Sequence, residues 1–188
     1  MGGLDLDEVL NLLDWVDEFD ITAPSRKLLS PHVPSLRSII RFKDYWMGKK
    51  RNELSGYDAS EGALYVLFTL ISALHPNSPR FFAIDNFDQS MNPRLARSLA
   101  RIFCRLIIES DPPRQVFLTV HNPVVLDGLD LCDNRIRLFA VDRTRSTKGA
   151  TQVRRIQVSD EVSNATQEGL SLSNLWVMGR LGGVPNLR

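Results

Sequence analysis

The segment RFFAIDNFDQSMNP, which runs from Arg80 to Pro93, decides the fold. Its four consecutive apolar residues, Phe81 to Ile84, predict a short buried strand. Asp85 follows at the carboxyl end of that strand. Asn92 and Pro93 form a common helix start, as cap and first helical residue. A buried strand that delivers a carboxylate and leads into a helix is typical of a parallel α/β sheet.

A second apolar run repeats this arrangement farther along the chain. Val116–Val120 predicts another buried strand, and the polar residue His121 follows it. The helix that begins at Asn92 is expected to run to about Ser110 and to connect the two strands. Because sites in parallel sheets lie outside the carboxyl ends of the strands, Asp85 and His121 are expected to lie near each other.

The remaining segments are assigned from periodicity and turn residues. An amphipathic helix is predicted over Leu4–Phe19, a proline-rich connector over Ile21–Pro34, and a short helix over Ser35–Trp46. Ser60-Glu61-Gly62 leads into the apolar segment Ala63–Leu74, which predicts a buried helix. We then expect a short helix, a third strand, its hairpin partner and a capped helix, at Pro123–Leu129, Arg135–Val141, Val153–Val158 and from Ser171.

The composition indicates an ordinary globular protein. With 188 residues, 43% hydrophobic and 24% charged, the chain is expected to form one domain with a buried core, with or without a small appendage. A net charge of +1 gives no overall attraction to nucleic acid or membranes. The amino terminus is acidic, unlike a secretion signal, and no apolar run is long enough to cross a bilayer. Cys104 and Cys132 have no CxxC partner, which predicts two buried, reduced thiols in a cytoplasmic protein.

Charge is unevenly distributed along the chain. Residues 1–20 contain seven acidic residues and no Lys or Arg. Four arginines recur at helical spacing, namely Arg94, Arg97, Arg101 and Arg105. This series is interpreted as a solvated helix face, with a stripe for a partner or nucleic acid as the alternative. The basic run Lys49-Lys50-Arg51 is interpreted as solvent-facing.

Three features occur in a characteristic order: Ser60-Glu61-Gly62 before a helix, a strand ending in Asp85, and a strand ending in His121. In this order they resemble the C-terminal lobe of an ABC-type P-loop ATPase, in the bacterial SMC, RecF and OLD-like branch that is often named AAA-type. The resemblance covers about Leu54 to Asp130. It implies an α/β fold with a parallel sheet flanked by helices. It also implies that residues 1–53 are a remnant of an interlobe insertion and that residues 54–188 form the lobe.

The resemblance assigns a role to each motif. Ser60, Glu61 and Gly62 resemble the signature loop, which holds the γ-phosphate of ATP bound to the opposite subunit; free N–H groups at a helix start favour an anion. Asp85 resembles the Walker B carboxylate, which orients the Mg²⁺ shell. His121 resembles the switch histidine that senses the γ-phosphate. The resemblance therefore implies ATP and Mg²⁺ as cofactors and a homodimer that closes around them.

Asn86 departs from this pattern, because most members carry a glutamate there that acts as general base. An asparagine can hold the attacking water but cannot accept its proton, and losing a general base costs about 10²–10⁴-fold in rate. We therefore expect either slow hydrolysis, with Asn86 positioning the water, or a base supplied by Asp88 or His121. The sequence leaves both open.

The phosphate-binding loop G-x-x-x-x-G-K-[ST] is absent from the sequence. We therefore expect this chain to be the C-terminal lobe of a longer or split protein, with an N-terminal Walker A lobe as partner. The resemblance implies that conformational changes are passed to DNA or to an effector protein. The segment from Ser171 to Pro185 also resembles the ending of bacterial ATPases that act with a nuclease or toxin, often in phage defence.

Two alternatives come from other functional classes. A half-site with Asn86 and no phosphate loop is compatible with a non-catalytic regulatory or interaction module. A toprim-type nuclease needs a cluster of carboxylates at strand ends, for which Asp85, Asp88 and Asp142 are the candidates.

Overall fold

A computed structural model describes residues 6–25, 28–30, 32–33, 37–143, 149–157 and 169–181. The contacts divide the chain into two compact units, Met1–His75 and Pro76–Arg188. The predicted boundary between residues 53 and 54 was based on motif content rather than on compactness, and it remains a prediction. Parts of four predicted segments lie outside the described residues: residues 4–5 of the first helix, 26–27, 31 and 34 of the connector, 35–36 of the next helix, and Val158 of the hairpin partner. Residues 182–185 of the C-terminal resemblance also lie outside them.

The first unit combines two helices with an antiparallel sheet. Its elements are α1 (Leu6–Leu12), β1 (Val16–Thr22), β2 (Ile39–Asp44), β3 (Glu53–Ser55) and α2 (Glu61–Leu74), and the sheet order is β1-β2-β3. Two helix predictions are therefore wrong: the helix over Leu4–Phe19 stops at Leu12, and Ser35–Trp46 contains β2 instead. Cross-strand pairing of β1 with β2 overrides the local helical pattern.

Cross-strand charge pairs account for part of the acidic amino-terminal segment. Arg41 lies between Asp20 and Glu53, with Nε 3.0 Å from Asp20 Oδ1 and NH1 3.1 Å from Glu53 Oε1. Lys43 Nζ is 3.2 Å from Asp17 Oδ2. The hydrogen bond from Arg41 holds the pKa of Asp20 below its usual value. These acids are therefore partners within the sheet, which favours the pairing of β1 with β2.

Helix α2 begins where the sequence predicts. Ser60 is its N-cap, and the Ser60 hydroxyl accepts a hydrogen bond from the Ala63 N–H at 3.2 Å. One face of α2 is buried, including Val66 and Leu70. Phe68 and Ile71, however, are each 56% exposed. The prediction of a buried helix is therefore correct for one face only.

The second unit contains the predicted parallel strand pair. β4 (Phe81–Ile84) and β5 (Gln115–Leu118) pair in parallel, from Phe81 beside Gln115 to Ile84 beside Leu118. Helix α3 (Pro93–Ile108) connects them, with Asn92 as its N-cap. The α/β class with a parallel sheet is thus confirmed.

The two faces of this strand pair have different surroundings. On one face the Phe82 ring lies against Phe103, and Ile84 is buried. On the other face Phe81 and Phe117 are 60% and 51% exposed, and their ring centroids are 5.6 Å apart. The prediction of fully buried strands is wrong on this second face, because the described elements leave both rings in contact with solvent.

The rest of the second unit forms a second core. A 3-10 helix (Pro123–Gly128) packs on α3, and β6 (Leu138–Arg143) pairs with β7 (Thr151–Ile156) in the predicted hairpin. Helix α4 (Leu172–Val177) has Ser171 in a capping box. These elements share a cluster of buried apolar residues, namely Leu126, Ala140, Ile156, Leu175 and Leu181.

The two cysteines differ in environment. Cys104 lies on α3, and burial raises the pKa of its thiol to about 11. Cys132 is exposed, so the prediction of two buried thiols is wrong for this residue. The four arginines of α3 are exposed, as a solvated helix face requires. Among the described residues, none of the helices has the length and apolar character needed to cross a membrane.

Candidate functional site

Asp85 lies at the carboxyl end of β4, next to the end of β5. The Thr119 hydroxyl donates a hydrogen bond to Asp85 Oδ1 and accepts one from the Asn86 N–H at 2.9 Å. A threonine at the end of one strand therefore orients the carboxylate at the end of its neighbour. Sequence analysis missed Thr119, although the parallel register places it beside Asp85.

The turn after β4 is held by a buried aromatic ring. The Phe87 side chain is fully buried, with its ring centroid 5.5 Å from that of Phe103. The Phe87 N–H donates to the Thr119 carbonyl at 2.9 Å. Between Asp85 and Phe87, Asn86 adopts a left-handed conformation with φ of 53°. Asparagine tolerates this conformation better than most residues, so the backbone supplies a structural reason for Asn86.

Asp88 connects the loop after β4 to the loop after β5. Its carboxylate accepts the His121 N–H at 3.1 Å and the Asn122 N–H at 2.5 Å. Asp85 and His121 follow two parallel neighbouring strands, and Asp88 links the loops that carry them, so both residues lie at the predicted edge of the sheet. Because Asp88 is engaged with two backbone N–H groups, it acts as a positioning residue, and this weakens its candidacy as the general base.

Asn122 connects the loop after β5 to the 3-10 helix that follows it. Its side-chain Oδ1 accepts the Val124 N–H at 3.1 Å and caps the 3-10 helix. The same helix approaches α3 so closely that a Cβ on Gly128 would lie 2.3 Å from the Arg97 carbonyl oxygen. The loop that carries His121 is thus fixed on both sides, and the His121 residue itself is exposed.

The Ser60-Glu61-Gly62 turn belongs to the other compact unit, Met1–His75. Ser60 and Glu61 are exposed, and Gly62 is buried in the first turn of α2. The Ser60 hydroxyl caps the helix. This geometry is that of an ordinary N-cap, and the predicted phosphate contact of these three residues remains a prediction.

Asp85 is suited to one kind of metal site, in which nucleotide phosphates and waters supply most of the ligands. Within the described residues, no three His, Cys, Asp or Glu side chains are grouped so that they could hold a metal ion. Asp142 lies in β6 and, among the described residues, does not join Asp85 and Asp88 in the carboxylate cluster that a toprim-type nuclease needs. Mg²⁺ in nucleotide sites is commonly bound by one or two carboxylates together with phosphates and waters. Asp85 suits that arrangement.

The comparison with protein families decides the assignment. Residues 21–127, more than half of the chain, match the family described as "AAA domain, putative AbiEii toxin, Type IV TA system". The chain belongs to this AAA-domain family. The matched range includes all six predicted site residues: Ser60, Glu61, Gly62, Asp85, Asn86 and His121. An AAA domain is of the P-loop ATPase type, which agrees with the predicted class.

The comparison with solved structures finds a chain from work on ATP-driven dimerization and DNA-stimulated activation of SMC ATPases. It is 15% identical, covers 85% of this chain and 86% of the solved chain, and has a TM-score of 0.48. No curated protein matches this chain. The family assignment therefore rests on the sequence match over residues 21–127.

Proposed function

We propose that this AAA domain is the C-terminal lobe of an ABC-type ATPase of the bacterial SMC, RecF and OLD-like branch. In this proposal it binds ATP and Mg²⁺, dimerises around them and hydrolyses ATP slowly. The observation that carries the proposal is the pair of side-chain links across the ends of β4 and β5. Thr119 holds Asp85, and Asp88 holds the backbone of His121 and Asn122.

Each residue at this edge has a distinct task in the proposal. Asp85 binds the metal directly or through water, and Thr119 fixes the orientation of the carboxylate. His121 contacts the γ-phosphate, and Asp88 keeps its loop in place. Mg²⁺-bound ATP supplies the phosphoryl group that is transferred to water. Ser60, Glu61 and Gly62 contribute N–H groups to the nucleotide of the opposite subunit.

Asn86 makes the proposed reaction slow. Its amide can hold a water by hydrogen bonds, but it has no basic oxygen that takes a proton at neutral pH. ATP then acts mainly as a clamp between subunits, and turnover resets the clamp. The left-handed backbone at Asn86 supports this view, because a glutamate there would be strained.

The proposed partner is a Walker A lobe that supplies the phosphate loop. Parallel sheets are normally covered on both faces, so the exposed Phe81 and Phe117 support a further layer on β4 and β5. The proposed output is transmitted to DNA or to a nuclease or toxin effector. The family description, which names a putative AbiEii toxin of a type IV toxin–antitoxin system, supports a role in a system of that kind. A cytoplasmic location and a role in phage defence remain predictions.

The second candidate function is a non-catalytic regulatory or interaction module derived from such an ATPase. The observation in its favour is again Asn86, which removes the general base while fitting the local backbone. In that case nucleotide does not change the binding of the partner.

Reconstitution with a Walker A lobe separates the two candidates. The 188-residue chain is mixed with, or fused to, a lobe that carries G-x-x-x-x-G-K-[ST], and phosphate release from Mg²⁺-ATP is measured. Slow release that requires both parts and is lost in Asp85→Asn supports the ATPase. As a matched control, Asp130→Asn alters an exposed aspartate outside the site and should retain activity. Partner binding that is indifferent to nucleotide supports the module.

A further inference from the structure

The loop between β2 and β3 presents aromatic and basic side chains together. We define the hairpin tip as residues Tyr45–Arg51. Tyr45 is 65% exposed and Trp46 is 75% exposed. Lys49, Lys50 and Arg51 follow in the same turn, and all three are exposed. Large aromatic rings in contact with water are costly, and their grouping at one tip indicates a recognition surface.

The backbone of the hairpin tip is held by its own hydrogen bonds. Asp44 Oδ1 accepts the Trp46 N–H at 2.7 Å and the Met47 N–H at 2.8 Å. The Arg51 N–H donates to the Gly48 carbonyl at 2.8 Å. The Tyr45 and Trp46 rings meet edge to face, with centroids 5.0 Å apart. The aromatic surface is therefore preorganised, which lowers the entropic cost of binding.

The positive charge of the tip is not neutralised by any described carboxylate. In the part of the chain that the structure describes, no carboxylate forms an ion pair with Lys49, Lys50 or Arg51. The basic residues of the adjoining strand differ, because Arg41 and Lys43 are paired with acids. The tip thus has the charge that complements a polyanion.

We infer that the hairpin tip binds single-stranded nucleic acid. A base stacks on the exposed ring of Trp46 or Tyr45, and the neighbouring phosphates lie against the cations. Aromatic platforms next to basic residues are the common means of holding unpaired strands, because only unpaired bases offer a free face. A duplex would engage the cations but not the rings. This inference rests on the hairpin tip alone and does not depend on the proposed use of ATP.

The binding test uses the 188-residue chain without nucleotide. Fluorescence anisotropy is measured with labelled oligo(dT) and oligo(U) of about 15 nucleotides, within the usual site size. Trp46→Ala should weaken binding by about tenfold or more, the loss expected for one stacked base, and Trp46→Phe should weaken it less. Replacing Lys49, Lys50 and Arg51 by Gln should reduce the slope of log affinity against log salt by about 2, since each phosphate contact contributes about 0.7.

Matched controls separate the tip from other surfaces. Replacing Arg94, Arg97 and Arg101 on α3 by Gln removes the same charge from the other unit and should leave the salt slope unchanged. Tyr57→Ala removes an exposed ring outside the tip and should leave the affinity unchanged. Circular dichroism of each variant is compared with that of the unmodified chain to check that the variant is folded.

Three results would overturn the inference. One is the absence of oligonucleotide binding by the unmodified chain. Another is binding that the tip variants leave intact or that the α3 variant abolishes. The third is Trp46-dependent binding to vesicles of phosphatidylcholine and phosphatidylserine without binding to oligonucleotides, which would identify the tip as a membrane contact instead.

Discussion

The loops at the ends of β4 and β5 and the hairpin tip of the first unit use polar groups in opposite ways. At the strand ends, side chains of one loop bind the other loop: Thr119 binds Asp85, and Asp88 binds the backbone of His121. At the hairpin tip, the Asp44 carboxylate accepts backbone N–H groups of its own turn, and no carboxylate among the described residues pairs with the three cations. The contacts at the strand ends fix the positions of the two loops, whereas the hairpin tip exposes positive charge to solvent.

This difference predicts different responses to mutation. A site that depends on geometry should respond to conservative substitutions that remove a single hydrogen bond. At a surface that depends on charge and aromatic area, substitutions should leave the free energy of unfolding nearly unchanged and should alter only the binding affinity. Four substitutions test this contrast, in order of decreasing expected effect.

The largest effect is expected for Asn86→Glu, which supplies a general base at the site. Phosphate release by the reconstituted ATPase should rise by about 10²-fold, near the low end of general-base effects, because the left-handed backbone strains the new side chain. Asn86→Gln is the control, since it has the same length and cannot accept a proton. Equal rates for the two variants, or a Glu variant no faster than the unmodified protein, would show that Asn86 does not limit turnover.

The second-largest effect is expected for Asp88→Asn, which removes the negative charge of the carboxylate that accepts the two backbone N–H groups. Hydrogen bonds to charged groups contribute about 1.5–3 kcal/mol, so the free energy of unfolding should fall by about 2 kcal/mol. Urea denaturation measures it, with Asp14→Asn, at an exposed aspartate, as the control. If both variants unfold at the same urea concentration, Asp88 does not hold the loop that carries His121.

A smaller effect is expected at Thr119. Thr119→Val keeps the shape and removes the hydroxyl that joins Asp85 to the Asn86 N–H, at a cost of about 1 kcal/mol in unfolding free energy. Thr119→Ser retains the hydroxyl and should recover most of this loss. Equal stability and equal ATPase rate for the Val and Ser variants would mean that the hydroxyl has no positioning role.

The smallest effect on stability is expected at the hairpin tip. Replacing Lys49, Lys50 and Arg51 by Gln should change the free energy of unfolding by less than about 0.5 kcal/mol, as for most surface substitutions. The same variant should bind oligonucleotides more weakly, with the salt slope reduced by about 2. A clear loss of stability would show that these cations serve the fold, and the contrast between the two regions would then disappear.

The parts of the fold that the sequence predicts are those with strong local signals. Phe81–Ile84 is an uninterrupted apolar run, and Ser60 and Asn92 are caps followed by helical segments. The amino-terminal sheet was missed because β1 carries acids among apolar residues in a pattern that also fits a helix. Its strand identity comes from β2, which lies farther along the chain and brings Arg41 and Lys43 to those acids.

The candidate site also combines features that the sequence predicts with features that it does not. Asp85 and His121 were predicted to lie together because parallel strands end at the same edge. The positioning roles of Thr119 and Asp88 were not predicted, since they depend on the register of β5 and on the backbone of the following loop. The left-handed conformation of Asn86 was equally invisible in the sequence, because asparagine occurs in many turns.

The most direct measurement is the effect of Mg²⁺ on ATP affinity, compared between the unmodified reconstituted protein and Asp85→Asn. Calorimetry with a slowly hydrolysed ATP analogue, with and without Mg²⁺, gives both affinities. If Asp85 serves the metal, Mg²⁺ should strengthen binding to the unmodified protein and to Asp130→Asn, and this gain should be largely lost in Asp85→Asn. An equal gain from Mg²⁺ in all three proteins would contradict the assignment of Asp85 and, with it, the proposed ATPase site.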